Sequence, residues 1–165
     1  MPHQPLPILD AAHAGFVTGA VGISAAACRP GGFPALARAA GCRVSADRRS
    51  VTVLFAAAAA ADVIEGVRRS GAIAVVFSEP PTHRTLQLKG GDALVLPPEA
   101  GDAALAERYR DAFAAVLASL GYPAAMGRAL VACAPDDLVT VRFTPSAAFL
   151  QTPGPHAGEP LARGA

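Results

Sequence analysis

The sequence predicts a mainly β, α+β domain built on an antiparallel sheet or barrel. Its 165 residues fit one domain with a core of its own. About seven short strand-like runs stand against two helical ones, and several of the runs are separated by hairpin-length turns. Strands at that spacing pair antiparallel more readily than parallel.

Residues 1–14 are dotted with Pro and His without a sustained period, and read as a loose arm or one short helix. Phe16–Ala26 reads as the first strand, its alternation blurred by Gly15, Gly19 and Gly22. Arg29-Pro30-Gly31-Gly32 is a turn. Over Pro34–Ser45 the pattern stays open: Leu36, Ala39 and Ala40 suit a helix, Gly41 and Val44 a strand. Ser50–Phe55 (S-V-T-V-L-F) is the clearest strand, and residues 42–45 form a hairpin with it across Ala46-Asp47-Arg48-Arg49. Ala56–Ser70 is helical, with Val63, Ile64 and Val67 on one stripe. Asp62 and Glu65 come early in it and Arg68 and Arg69 late, as the helix dipole favours, and Gly71 stops it.

Ala72–Phe77 follows as a buried strand. His83–Lys89 alternates Arg84, Leu86 and Leu88 against Thr85, Gln87 and Lys89, and Gly90-Gly91 carries it into Asp92–Leu96 as a second hairpin. After Pro97-Pro98 a helix spans roughly Ala100–Leu120, with Leu105, Tyr109, Ala112, Phe113, Val116 and Leu120 on one face, and Gly121 ends it. Leu130–Cys133 and Leu138–Phe143 supply two more strands. The domain proper therefore covers 15–145, between an arm at 1–14 and an extended tail at 146–165.

Hydrophobic residues make up 52% of the chain, much of it alanine, so the core depends on scattered Val, Leu, Ile and Phe. Fourteen basic residues balance 13 acidic ones, which gives no electrostatic case for nucleic acid or an anionic membrane. The apolar run Val51–Ala61 is too short to span a bilayer. Phe16–Cys28 lacks the positively charged start of a secretory signal, since no Lys or Arg precedes Arg29. Three widely spaced cysteines, Cys28, Cys42 and Cys133, fit reduced thiols in the cytoplasm.

Thr82-His83-Arg84-Thr85-Leu86-Gln87-Leu88-Lys89 is the densest polar stretch. Arg84, Gln87 and Lys89 line a cofactor or anion site there, with His83 as an acid–base group, or else the strand simply presents a solvated face. The histidines (His3, His13, His83, His156) have no metal-ligand spacing, so no metal is expected. Cys42 and Cys133 read as small buried hydrophobes. Gln151-Thr152-Pro153-Gly154-Pro155 either reaches across a dimer to close a site or is a Pro-stiffened tail.

Three stretches together resemble the pyridoxamine 5'-phosphate oxidase-like family, the FMN-binding split barrels. They are G-F-V-T-G-A-V-G-I-S-A-A-A-C-R-P-G-G-F-P-A-L-A-R-A-A-G-C-R-V, V-R-R-S-G-A-I-A-V-V-F-S-E-P-P-T-H-R-T-L-Q-L-K-G and F-T-P-S-A-A-F-L-Q-T-P-G-P-H-A-G, spread over most of residues 15–158. The resemblance implies a six-stranded antiparallel split β-barrel with flanking helices. It also implies a homodimer holding FMN at the subunit interface, and a flavin-dependent oxidoreductase of unknown substrate. In such oxidases an Arg on the second strand and a Ser-Arg-Lys run after the third grip the flavin phosphate. Arg38 or Arg43 matches the first, and Thr82, His83, Arg84, Gln87 and Lys89 are the remaining cofactor-binding candidates. The second part is where the chain departs from the pattern: Ala56–Ala61 is six alanines, with no cation and no hydroxyl. That departure keeps open a non-catalytic barrel that binds another ligand such as heme, or a structural dimer.

Overall fold

The computed structural model describes residues 7–28 and 31–161. In chain order the elements are α1 (Ala11–Val17), β1 (Gly22–Cys28), β2 (Pro34–Arg38), β3 (Gly41–Val44), β4 (Val51–Ala56), α2 (Ala61–Ser70), β5 (Ile73–Ser78) and β6 (Thr85–Gly90). They continue with β7 (Leu94–Leu96), α3 (Asp102–Ser119), α4 (Ala124–Leu130), a 3-10 turn (Pro135–Asp137), β8 (Leu138–Phe143) and β9 (Ala147–Leu150). These strands form two antiparallel sheets, ordered β2-β1-β5-β6-β9 and β3-β4-β8-β7, with four helices around them.

The sheets share one core. Ile23, Ala25, Val75, Phe77, Leu86 and Leu88 of the first meet Val51, Val53, Phe55, Val141 and Phe143 of the second. The chain crosses between sheets at two corners. At the first, the Ala39 N–H bonds Ile23 O at 3.0 Å and the Ala40 N–H bonds Leu54 O at 2.7 Å, so β2 turns directly into β3. At the second, the Thr144 N–H is held by Asp92 Oδ1 at 2.8 Å and the Ser146 N–H by Lys89 O at 2.8 Å. Helices complete the burial: α1 adds Phe16 and Val17, α2 adds Val63, Ile64 and Val67, and α3 adds Tyr109, Phe113 and Leu117.

The hairpin of β3 and β4 and the αL stop at Gly71 (φ 69°) form as the sequence predicts. Other elements differ. The expected first strand begins as a helix, because the Asp10 carboxylate caps α1 by accepting the His13 N–H at 2.8 Å. The open stretch Pro34–Ser45 resolves into two strands, β2 and β3. The expected helix over Ala56–Ser70 starts late, since Asp137 holds the Ala57 and Ala58 N–H groups in a turn. The expected second hairpin does not form: β7 pairs with β8, and β6 pairs with β5 and β9. The expected strand over Leu130–Cys133 does not form: Leu130 ends α4, whose Gly127 packs close against Ala114 of α3, and irregular chain follows.

The segment beyond residue 146 is not a free arm. β9 joins the first sheet, and residues 158–161 fold back along its outer edge, with Gly158 N–H to Leu150 O at 2.7 Å and Leu161 N–H to Ala148 O at 2.8 Å. A strand edge that would otherwise be open is thereby covered. Of the expected arms and the Arg29–Gly32 turn, residues 1–6, 29–30 and 162–165 lie outside the described residues. Among the described residues no helix is long and apolar enough to cross a membrane.

Candidate functional site on the outer sheet face

Because side chains alternate along a strand, the core takes one set of positions in the first sheet and leaves the other set facing outward. The register arranges the outward set in rows. Arg38, Ser24, Val76, Gln87 and Phe149 form one; Leu36, Ala26, Ala74, Lys89 and Ala147 form the next. Gly22, Ser78 and Thr85 close the face at one end. The main helix packing falls on β1, β2, β3 and β7, and α2 meets the inward-facing Ala27 of β1. The face thus mixes small side chains (Ser24, Ala26, Ala74, Ala147) with the larger Arg38, Val76, Gln87, Lys89 and Phe149. Leu36 (73% exposed) lies on it, and Phe33 (90% exposed) stands beside it ahead of β2.

Its polar end is assembled by two segments remote in sequence. Thr85 Oγ1 donates to the His83 carbonyl at 2.9 Å, which leaves Ser78 Oγ to donate to Thr85 Oγ1 at 2.9 Å. The Thr85 N–H donates to Thr152 Oγ1 at 3.0 Å, and the Gln151 N–H donates to the Thr85 carbonyl at 2.9 Å. The two unusual stretches of the sequence, Thr82–Lys89 and Gln151–Pro155, are therefore one structure. Thr85 and Ser78 were not among the expected site residues; a hydroxyl in each of two facing strands was the only local signal.

The structure divides the expected site residues into three groups. Arg38, Gln87 and Lys89 share the outer face, where Lys89 Nζ lies 5.1 Å from the Phe149 ring centroid. Thr82 and His83 form the β5–β6 turn, in which Thr82 bonds the Glu79 carboxylate and His83 takes a left-handed φ of 60°. Arg84 points to the other side of the sheet, its guanidinium 4.4 Å above the Phe16 ring, as the two-residue period of the strand requires. Arg43 stands apart. Its Nε donates to Asp102 Oδ1 at 2.9 Å, and its Nη2 lies 3.1 Å from Glu99 Oε2. Burial pulls the Arg43 pKa down, but Asp102 and Glu99 overcome that and raise it overall.

The turn after β4 lacks the side-chain clamp that a flavin phosphate would need. The Ala57 N–H is taken by the Asp137 carbonyl at 2.7 Å and the Ala58 N–H by the Asp137 carboxylate at 3.1 Å. The chain's own anion sits where an incoming one would need to be, and residues 56–61 offer no cation. Arg43, one of the two candidates for the strand arginine, is already spent on carboxylates.

Beneath Arg43, Cys42 is 4% exposed, and burial pushes its thiol up from the usual 9.0 to about 12, with the Arg43 charge opposing. A raised folded pKa means stability is intact below the unfolded value and is lost as pH climbs. Unfolding free energy should therefore hold steady to about pH 9, then fall by about 1.4 kcal/mol per pH unit from this thiol. Buried Tyr109 is raised likewise and adds its own loss above the usual 10.0. Urea unfolding of wild type and Cys42→Ala between pH 8 and 10 checks this: the variant should lose less stability than wild type, what remains coming from Cys133, whose thiol burial and Asp137 also raise.

Solved structures share this architecture. An F420 reductase superposes with a TM-score of 0.55 at 14% identity, over 85% of this chain and 98% of that one. HupZ of Group A Streptococcus gives 0.53 at 12%, over 91% and 100%. A candidate pyridoxamine 5'-phosphate oxidase of Lactobacillus delbrueckii gives 0.50 at 16%, over 86% and 93%. The fold is that of the pyridoxamine 5'-phosphate oxidase-like split barrels. No protein-family model matches the sequence, and no curated protein matches it.

Proposed function

We propose that this chain is a cofactor-binding split barrel of the flavin-dependent oxidoreductase type, working as a homodimer. Its ligand lies on the outer face of the five-stranded sheet. The observation that carries this reading is the polar end of that face, where Ser78, Thr85, Gln151 and Thr152 converge beside Gln87. The small Ser24, Ala26 and Ala74 between the larger side chains leave room for a planar ring system. Arg38, with no ion-pair partner among the described residues, and Lys89 supply positive charge at its rim. Two such faces packed together would exclude water from the ligand. Free thiols at Cys28, Cys42 and Cys133 agree with a cytoplasmic setting.

Asp137 favours a second reading, a non-catalytic module for another ligand such as heme, because it fills the turn that a flavin phosphate would use. An absorbance scan from 300 to 600 nm after incubation with FMN or heme and desalting separates the two. Retained flavin bands that fall about tenfold in occupancy in Lys89→Glu support the oxidoreductase reading. A retained heme band moves the protein to the binding module. Blank spectra with both overturn both.

A further inference from the structure

A groove that shares no residue with the outer rows of the sheet face crosses the molecule beneath α3. One lobe, about 450 Å³, lies between the α1–β1 link, β3 and α3 and is lined by Cys42, Arg43, Leu105, Arg108, Tyr109 and Ala112. A second lobe, about 300 Å³, is lined by Phe16, Val21, Pro81, Arg84 and Val116, with Glu79 at its rim. Gly19 and Ala20 line both, so the lobes adjoin over backbone with almost no side chain. Their volumes lie in the range of small-molecule sites.

The polar groups of the groove are mostly committed. Thr18 Oγ1 donates to the Ala14 carbonyl at 2.9 Å, and the Tyr109 hydroxyl to the Val21 carbonyl at 2.7 Å. Arg43 is forked between Asp102 and Glu99, and the Glu79 carboxylate takes the Thr82 hydroxyl. Two guanidinium groups remain. Arg108 has no hydrogen bond or ion pair among the described residues, and Arg84 rests on the Phe16 ring without a carboxylate. The free side-chain donors are cationic, one in each lobe, and the walls between them combine apolar side chains with the Gly19–Ala20 backbone. Such a groove selects against inorganic anions, which leave the walls unfilled, and against neutral molecules, which leave the guanidiniums unpaired.

We infer that this groove is a binding site for an organic acid with a flat apolar body, its acid group paired with Arg108 or Arg84. The inference does not depend on the sheet-face reading. Two fluorescent probes of similar shape test it: anilinonaphthalene sulfonate, which is anionic, and N-phenyl-1-naphthylamine, which is not. Wild type should bind the anionic probe at one site per chain, about tenfold more tightly than the neutral one. Arg108→Gln or Arg84→Gln should remove most of that preference, whereas Arg142→Gln, an exposed arginine outside the groove, should keep it. All three positions are exposed, and circular dichroism verifies that each variant folds. Equal affinity for the two probes, binding of neither, or a preference indifferent to both groove arginines would overturn the assignment. So would loss of anionic-probe binding in Met126→Glu, which alters the exposed apolar patch of α4, with Arg108→Gln unaffected.

Discussion

Replacing Arg43 by methionine is expected to lower the unfolding free energy by about 2–3 kcal/mol without weakening ligand binding on the sheet face. Asp102 has a side chain only 3% exposed, and its two oxygens accept from Arg43 and from the Glu99 backbone N–H at 2.8 Å. Without the guanidinium, a carboxylate is left buried with one neutral donor, and that desolvation dominates the loss. Glu99 contributes little, being 62% exposed. The double variant Arg43→Met/Asp102→Asn removes the stranded charge and should recover at least half of the loss, measured by urea unfolding at pH 7. A wild-type stability for Arg43→Met would mean the pair is ornamental. A loss of ligand without a loss of stability would make Arg43 a ligand contact after all.

Gly90→Ala is expected to cost about 2–4 kcal/mol, while Gly91→Ala, one residue on, should change stability by less than about 0.5 kcal/mol. Gly90 ends β6 against the corner where β8 crosses to β9. A Cβ there would come within 2.6 Å of the Phe143 ring and 3.1 Å of the Thr144 carbonyl oxygen. Phe143 is 1% exposed and anchors the shared core, and the Thr144 backbone is pinned by Asp92, so neither neighbour can give way cheaply. A Cβ on Gly91 meets nothing within 4 Å. Paired thermal melts should show a drop of roughly 8 °C for the first and almost none for the second. Equal melting temperatures would mean that the two sheets are not held at this corner.

What could be read ahead of the structure was local. The β3–β4 hairpin follows from a polar turn and a β-branched run, α2 from its charge order and Gly71, and α3 from a face that places Tyr109 and Phe113 four apart. What could not be read was pairing. The Gly90-Gly91 step resembles a hairpin turn, but β7 finds β8 in the other sheet, and nothing in Leu94–Leu96 names that partner. The run Ala147–Leu150 is too short to stand out beside the Pro- and Gly-rich segment that follows, so β9 reads as tail. The polar strand is visible in sequence, but its link to Thr152 spans 67 residues, and the Arg43–Asp102 contact spans 59. Arg43 illustrates the limit: an unpaired cation on a strand suggests a ligand until its carboxylates are found.

The proposed dimer has two copies meeting through the outer face of the five-stranded sheet. Val76 sits at the centre of that face, between Ser24 and Gln87, half-buried and away from the core. Sedimentation equilibrium of wild type and Val76→Arg at micromolar concentration is the most direct test. A dimeric wild type and a folded, monomeric variant are the predicted result. A variant that remains dimeric, or a wild type that is monomeric throughout, would contradict the account.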